Sequence, residues 1–276
     1  MSGESEQEYV PAGVDPTQVG IARVYDAFLG GKDNYEIDRQ VLKMVRSKVP
    51  EVQYMARENR AFLIRAVRFL ASQTGINQFL DCGSGLPTAQ NVHQVAQHVN
   101  PDANVVYIDN DPVVLAHGRA LLEENDQTHF LSADIFKPQE ILQHEEVNKY
   151  IDFSQPLVFL QVGTFMLYDG PRDRPAKIMQ EYIDALPSGS YVAFSHFFDP
   201  ENEHTETAKM MEEQFLKSPM GRGTFRTRPE LEEFLVGLDL IPPGLTLCAD
   251  WWPDGPRMKP LNSVQNCFAC AVGRKP

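Results

Sequence analysis

The chain has no run of 18 consecutive apolar residues, and its opening MSGESEQEYVPAG lacks the basic-then-apolar order of a signal peptide. A membrane span and an export signal are therefore left out of the reading. Cysteine is sparse: Cys82, Cys248, Cys267 and Cys270 are the four in 276 residues. They are too few and too scattered for a disulfide framework, and a cytoplasmic chain is expected. Basic residues are short as well, 25 Lys+Arg against 38 Asp+Glu, for a formal charge of −13. Such a field repels phosphate backbones, and no local basic stripe offsets it, so a nucleic-acid partner is not expected. The seven histidines show no H-E-x-x-H or comparable spacing, and no metal site is expected. Cys267 and Cys270 form a lone C-x-x-C in VQNCFACAVG. That run reads as a buried strand, where residues three apart point to opposite faces and do not share a metal.

What is present is ordinary globular material, with 42% hydrophobic and 23% charged residues, enough for one large α/β domain or two small ones. Residues 1–15 are polar with Pro and Gly and read as a flexible tail. A helical pattern from about Pro16 to Leu29 stops at Gly30-Gly31, and a second helix starts after Asp33 with Glu36 in capping-box spacing. A longer helix runs from about Glu51 to Ser72, where Arg57, Arg60, Arg65 and Arg68 lie mainly off the apolar stripe and read as a solvated face.

After Gly75 short apolar runs alternate with amphipathic helices, the pattern of βαβ units on a parallel sheet. Strands are expected at Gln78–Asp81, Asn104–Asp109, His129–Ser132, Leu157–Val162, Ser190–Phe197, Leu245–Asp250 and Ser263–Val272. Helices are expected at about Thr88–His98, Pro112–Glu124, Arg174–Leu186, Glu203–Leu216 and Pro229–Gly237. The expected architecture is a helical cap, residues 16–74, leading into a doubly wound, mostly parallel seven-stranded Rossmann-like α/β domain, residues 75–276, with an antiparallel strand at its C-terminal end.

Three strand ends carry chemistry. In FLDCGSGLPT a strand ends at Asp81 and turns through Gly83 and Gly85, where the first βα turn needs unusual dihedrals and lets a ligand touch bare backbone. A dinucleotide fingerprint would want a small third residue, but Thr88 stands there and Pro87 removes an amide. Asp81 would repel a pyrophosphate and attract an ammonium. In VVYIDNDP, Asp111 precedes Pro112 and reads as a helix cap. Asp109, 24 residues past Gly85, ends the strand where nucleotide-binding α/β folds accept ribose hydroxyls, with Asn110 beside it. In LSADIF, Asp134 can accept from an adenine amino group while Ile135 or Phe136 covers the ring; a plain turn-capping role is the alternative. Asp81, Asp109 and Asp134 fall 28 and 25 residues apart, one per βα unit, as a crevice at a topological switch point requires.

The order D-x-G-x-G, acid at the second strand tip and Asp at the third resembles class I S-adenosylmethionine-dependent methyltransferases. More closely, ARVYDAFLGGKDNYEIDR, FLDCGSGLPTAQNVHQVAQ, VVYIDNDPVVLAHGRALL, GSYVAFSHFFDP, RTRPELEEFL and CAVGRKP are similar, in order, to a bacterial methyltransferase family marked by an N-terminal GGKDN motif and a DxGxGLPT loop. The likeness spans nearly the whole chain. It implies S-adenosyl-L-methionine as cofactor, held by Asp81, Gly83 and Gly85 at its methionine part, Asp109 at the ribose, and Asp134 with Ile135 at the adenine. One departure stands out: the family tends to carry a Leu-His pair after the fourth strand, whereas this chain has QVGTFMLYDG with Thr164 and Phe165 there.

The expected function is methyl transfer to a small-molecule acceptor. The alternatives are a non-catalytic cofactor-binding protein, favoured by the missing Leu-His pair, and a nicotinamide-dependent oxidoreductase, disfavoured by Asp81, Pro87 and Thr88. Candidates near the acceptor are Tyr168 and Asp169 after the fourth strand and His196 at the end of the fifth, the last equally readable as a structural histidine. Trp251 and Trp252 read as a hydrophobic plug near the final hairpin, with a wall of the acceptor pocket as the alternative, and His93 as packing or solvated. Residues 22–35 form a candidate lid hinged at Gly30-Gly31, with Tyr25, Lys32 and Asn34 turned to the cofactor or acceptor; a packing role is the alternative.

Overall fold

The computed structural model describes residues 14–88, 90–121 and 125–276. The expected tail therefore falls mostly outside the described residues, as do position 89 and the end of the helix expected to reach Glu124. The strands are β1 Gln78–Cys82, β2 Asn104–Asp109, β3 Thr128–Ser132, β4 Val158–Val162, β5 Tyr191–Phe197, β6 Asp239–Leu240, β7 Thr246–Leu247 and β8 Phe268–Arg274. The helices are α1 Ile21–Leu29, α2 Glu36–Lys48, α3 Gln53–Gln73, α4 Val92–Val99, α5 Pro112–Leu121, α6 Pro138–Leu142, α7 Glu145–Tyr150, α8 Arg174–Ala185, α9 Thr205–Lys217 and α10 Arg228–Glu232.

The sheet runs β3-β2-β1-β4-β5-β8-β6, with β7 also on β8. The first five strands are parallel, and β8 is antiparallel to β5 and to both short strands. The doubly wound sheet with an antiparallel C-terminal strand is thus present, with eight strands rather than seven. The chain moves outward from β1 to β2 and β3, then returns to the other side of β1 at β4. That reversal opens a crevice at the carboxyl ends of β1 and β4.

Both faces of the parallel strands are covered, which is why β1 is buried at all five positions instead of alternating. On one face Phe79, Val105, Val158 and Ala193 meet α3 and α4; on the other Leu80, Val106, Phe159 and Val192 meet α7 and α8. The stripe Met55, Phe62, Ala66 and Leu70 on α3 is buried in the first of these layers, so α3 is part of the sandwich itself, while α1 and α2 stack outside it.

Several local expectations need correction. The segment expected as a strand over Leu245–Asp250 pairs at Thr246–Leu247 alone and then tightens into a 3-10 turn, Cys248–Asp250. Cys267 closes a second 3-10 turn, Gln265–Cys267, ahead of β8, so the expected strand from Ser263 starts at Phe268. The short helices α6 and α7 are too brief to show a clear period in sequence. Arg65 is buried, not solvated: its Nε donates to Trp251 O (2.9 Å) and Nη2 to Cys248 O (2.7 Å). Three residues after Phe62, it lies beside the apolar stripe, and two orphan carbonyls make its burial tolerable. Trp251 is fully buried, edge-on to Phe62 at 5.5 Å, and acts as the plug expected of it.

Candidate functional site

The carboxyl edge of the sheet opens into a cavity of about 590 Å³, within the usual range for small-molecule sites. Asp81, Gly83, Asp109, Asp134 and Ile135 line one wall, from three successive strand ends; Gly163 and Thr164 after β4 complete it. The opposite wall comes from Val14, Asp15, residues 18–23, Tyr25, Asn59, Arg60 and Leu63, with Arg222 from the loop after α9.

Asp109 fixes the geometry of two loops. Its Oδ2 accepts from Gly85 N (2.9 Å), and its Oδ1 accepts from the amides of Asn110 (2.8 Å) and Asp111 (3.0 Å). Burial raises its pKa, and those donated N–H groups oppose the rise. Asp111 is the cap of α5, accepting from Val113 N at 2.8 Å. The two acids therefore divide the work as their positions suggest. Gly85 is left-handed at φ 66°, and Gly83 at φ 83° donates to Ile108 O (2.8 Å). A Cβ on Gly83 would run into the Thr164 methyl, so glycine is required where the β1 and β4 loops meet.

Asp81 is 5% exposed, and no donor among the described residues reaches its carboxylate. Burial pushes its pKa up to about 7, Arg60 pulls against this, and Asp109 adds to it. Asp134 lines the cavity while its Oδ1 accepts from Phe136 N at 3.0 Å, so turn capping and site membership describe the same residue. The Ile135 carbonyl accepts from Tyr182 Oη (2.9 Å), which pins this loop to α8.

The remaining candidates separate. Tyr25 lines the cavity, but its hydroxyl is engaged within the protein, donating to Ala56 O and accepting from Asn59 Nδ2, both at 3.1 Å. Asn59 Oδ1 in turn accepts from Ser195 Oγ (2.6 Å), and a Cβ on Gly163 would lie 2.6 Å from Asn59 Nδ2. Lys32 is exposed and Asn34 is buried away from the cavity. Asn34 Nδ2 donates to Asp26 Oδ2 (2.7 Å) and Gly31 O (3.0 Å), closing the GGKDN turn on itself. A Cβ on Gly31 would strike the Asp26 carboxylate. The expectation that Lys32 and Asn34 face a ligand is therefore corrected: Lys32 lies in solvent and Asn34 closes the turn.

Tyr168 and Asp169 lie outside the cavity lining, Tyr168 packed edge-on to Phe136 at 5.1 Å. His196 is fully buried on the α8 side of the sheet, its Nδ1 donating to Phe197 O (2.8 Å). Burial drives its pKa down to about 3, which leaves it neutral and apart from the cavity. His93 is buried too, its Nδ1 3.0 Å from Tyr107 Oη.

Sequence reasoning took Arg60 for part of a solvated face, whereas it lines the cavity; it passed over Val14–Ile21 and noted Thr164 only as a departure from the family. Thr164 is 8% exposed, and its hydroxyl has no partner among the described residues. Among four similar arginines on one helix, nothing in the sequence marks Arg60; its place beside the cavity depends on how α3 rotates against the sheet.

The sequence profile of the family described as S-adenosyl methyltransferase matches residues 7–276. The chain belongs to that family. It is similar to the crystal structure of a provisionally named methyltransferase from Thermobifida fusca YX, with 41% identity over 96% of this chain and 98% of that one and a TM-score of 0.89. It is also similar to a DUF574 family protein from Streptomyces avermitilis MA-4680, with 33% identity over 94% and 98% of the two chains and a TM-score of 0.86. No curated protein matches it. The protein is an S-adenosylmethionine-dependent methyltransferase of this family. The cavity suits such a cofactor: carboxylates stand at three strand tips, a glycine loop leaves backbone accessible, and the buried Thr164 hydroxyl is unpartnered.

Proposed function

We propose that this methyltransferase acts on a small molecule in the cytoplasm, with residues 16–74 covering a cofactor domain of residues 75–276 into whose helical layer α3 is packed. The observation that carries this reading is the joining of Asp81, Asp109 and Asp134 on one wall of a cavity whose other wall is the N-terminal segment. Asp109 would take the ribose hydroxyls, Asp134 and Ile135 the adenine, and Asp81 with Gly83 and Gly85 the methionine end, with Asn110 at the rim. When bound, the cofactor supplies a sulfonium-activated methyl group, whose carbon–sulfur bond breaks as the acceptor's lone pair attacks, leaving S-adenosylhomocysteine.

The protein's own part is positioning and exclusion of water. No histidine lines the cavity among the described residues, and His196 is walled off. Acceleration then comes chiefly from holding the acceptor against the reacting carbon, with Tyr25, Thr164 and Leu167 on the side left for it. The acidic cavity and net charge of −13 disfavour a nucleic-acid acceptor. The first test is calorimetry with S-adenosylmethionine, S-adenosylhomocysteine and NADH. The reading expects binding of the two sulfur ligands only, and S-adenosylhomocysteine release once a small-molecule acceptor is supplied. Folded protein that takes up neither sulfur ligand would overturn it.

A further inference from the structure

Arg60 and Asp81 are opposite charges in one cavity that do not pair. Arg60 Nη2 donates to Gln90 O (2.9 Å) and lies 3.5 Å from Asn91 Oδ1, both just past the glycine loop. Its Nε is buried with no partner among the described residues. The Asp81 carboxylate is likewise buried with no donor among them, yet Arg60 is the chief opposing charge acting on it. No ion pair joins the two within 4.0 Å, although each would gain from one. The other cavity-lining arginines differ: Arg23 is paired with Asp38 through Nε at 2.8 Å, and Arg222 Nε donates to Met220 O at 3.3 Å.

A buried donor and a buried acceptor held apart each carry a desolvation cost that none of the described residues offsets. A ligand bearing both charges on one carbon would satisfy them together. We propose that Arg60 and Asp81 form a two-point clamp for the amino-acid zwitterion of the cofactor, Arg60 binding the α-carboxylate and Asp81 the α-ammonium. This rests on the cofactor reading above and extends it to a residue on α3, outside the βα loops. It also gives the N-terminal segment a specific role, because the charge that fixes the methionine end then comes from the wall opposite the sheet. A guanidinium suits the task, since one nitrogen can anchor to the loop carbonyl while another meets the carboxylate.

The test is a ligand series measured by calorimetry on the full chain. S-adenosylhomocysteine carries both charges, decarboxylated S-adenosylmethionine keeps only the ammonium, and 5′-methylthioadenosine lacks the whole amino-acid end. Arg60→Gln should weaken S-adenosylhomocysteine at least tenfold and leave the other two within about twofold. Asp81→Asn should weaken both ligands that carry the ammonium and spare 5′-methylthioadenosine. Arg60→Lys, with charge but no fork, should fall between wild type and Arg60→Gln. The wild-type protein should itself prefer S-adenosylhomocysteine over 5′-methylthioadenosine by at least tenfold, a comparison that needs no variant to fold.

A parallel loss of all three ligands in Arg60→Gln would make Arg60 a brace for the loop at Gln90 and overturn the clamp. Unchanged S-adenosylhomocysteine affinity in that variant would overturn it as well. If the wild type bound none of the three, the cofactor reading itself would fall, an outcome distinct from either.

Discussion

The GGKDN turn and the strand tips both gather polar residues, and they use their side chains in different ways. In the N-terminal segment nearly every polar group meets another. Asp38 is fully buried and accepts from Gly20 N (3.0 Å), Arg23 Nε (2.8 Å) and Tyr35 N (2.9 Å). Asp26 takes the Asn34 amide, and Arg23 also donates to Gln18 O. At the strand tips Asp109 and Asp134 accept backbone amides, but among the described residues no donor reaches the buried Asp81 and no partner reaches the Thr164 hydroxyl. Density of polar residues therefore does not mark a ligand site. Buried polar groups left unmatched do so only where they also face a cavity: Gln161, His196 Nε2 and Trp251 Nε1 are buried and unmatched among the described residues too, but none of them lines it.

The sharpest way to break this contrast is Asp38→Ala. Removing a buried carboxylate that holds three donors should cost about 3–5 kcal/mol of stability, read as a lowered denaturant midpoint. A change under about 1 kcal/mol would mean the N-terminal network is not structural. At the strand tips, Asp109→Ala should instead cost about 1.5–3 kcal/mol of S-adenosylhomocysteine affinity, the loss of a charged acceptor. Asp111→Ala is its control, with about 1 kcal/mol of stability lost with the cap and affinity nearly intact. If the two variants exchanged phenotypes, the roles at the end of β2 would have to be reversed.

Asp81 sharpens the contrast through pH. Its pKa is raised by burial, from the ordinary 3.8 to about 7, so between these values the native state holds a proton that the unfolded chain has lost. Stability from this group is thus lost as pH rises through that window. Asp81→Asn cannot ionise, so its stability, followed by thermal unfolding, should gain on wild type by about 3 kcal/mol from pH 4.5 to 8, while cofactor affinity falls. A gap that does not vary with pH would show that Asp81 is not a strained carboxylate. The smallest effects belong to the turn: Asn34→Ala should cost about 1 kcal/mol of stability with little change in cofactor affinity, and Lys32→Ala less than about 0.5 kcal/mol in either. A large affinity loss in Lys32→Ala, measured on folded protein, would restore the residue to the site.

The sheet was legible because its signals are local. Each parallel strand is a short apolar run ending in an acid or a glycine, and the spacing of Asp81, Asp109 and Asp134 follows from one βα unit per interval, so their meeting at one edge is a consequence of topology. Elements without a period were not legible: α6, α7 and the 3-10 turn before β8 are too short to show one. Where solvent would take a group or a backbone carbonyl could accept it, sequence had no means to choose. Arg60 and Arg65 look alike on one helix, yet Arg65 ties α3 to Trp251 and Cys248 while Arg60 turns to the cavity.

The sequence alone thus determined the winding of the sheet, the acids at its tips, the capping role of Asp111 and the family, all encoded by residues close in the chain. Tertiary structure alone decided which polar groups would satisfy one another. Asp26 and Asn34 are eight residues apart and Arg65 and Cys248 are 183 apart, yet both contacts depend on helices packing at one angle and not another. Burial makes that packing decisive, because a polar group withdrawn from water must take whatever partner the packed neighbours present.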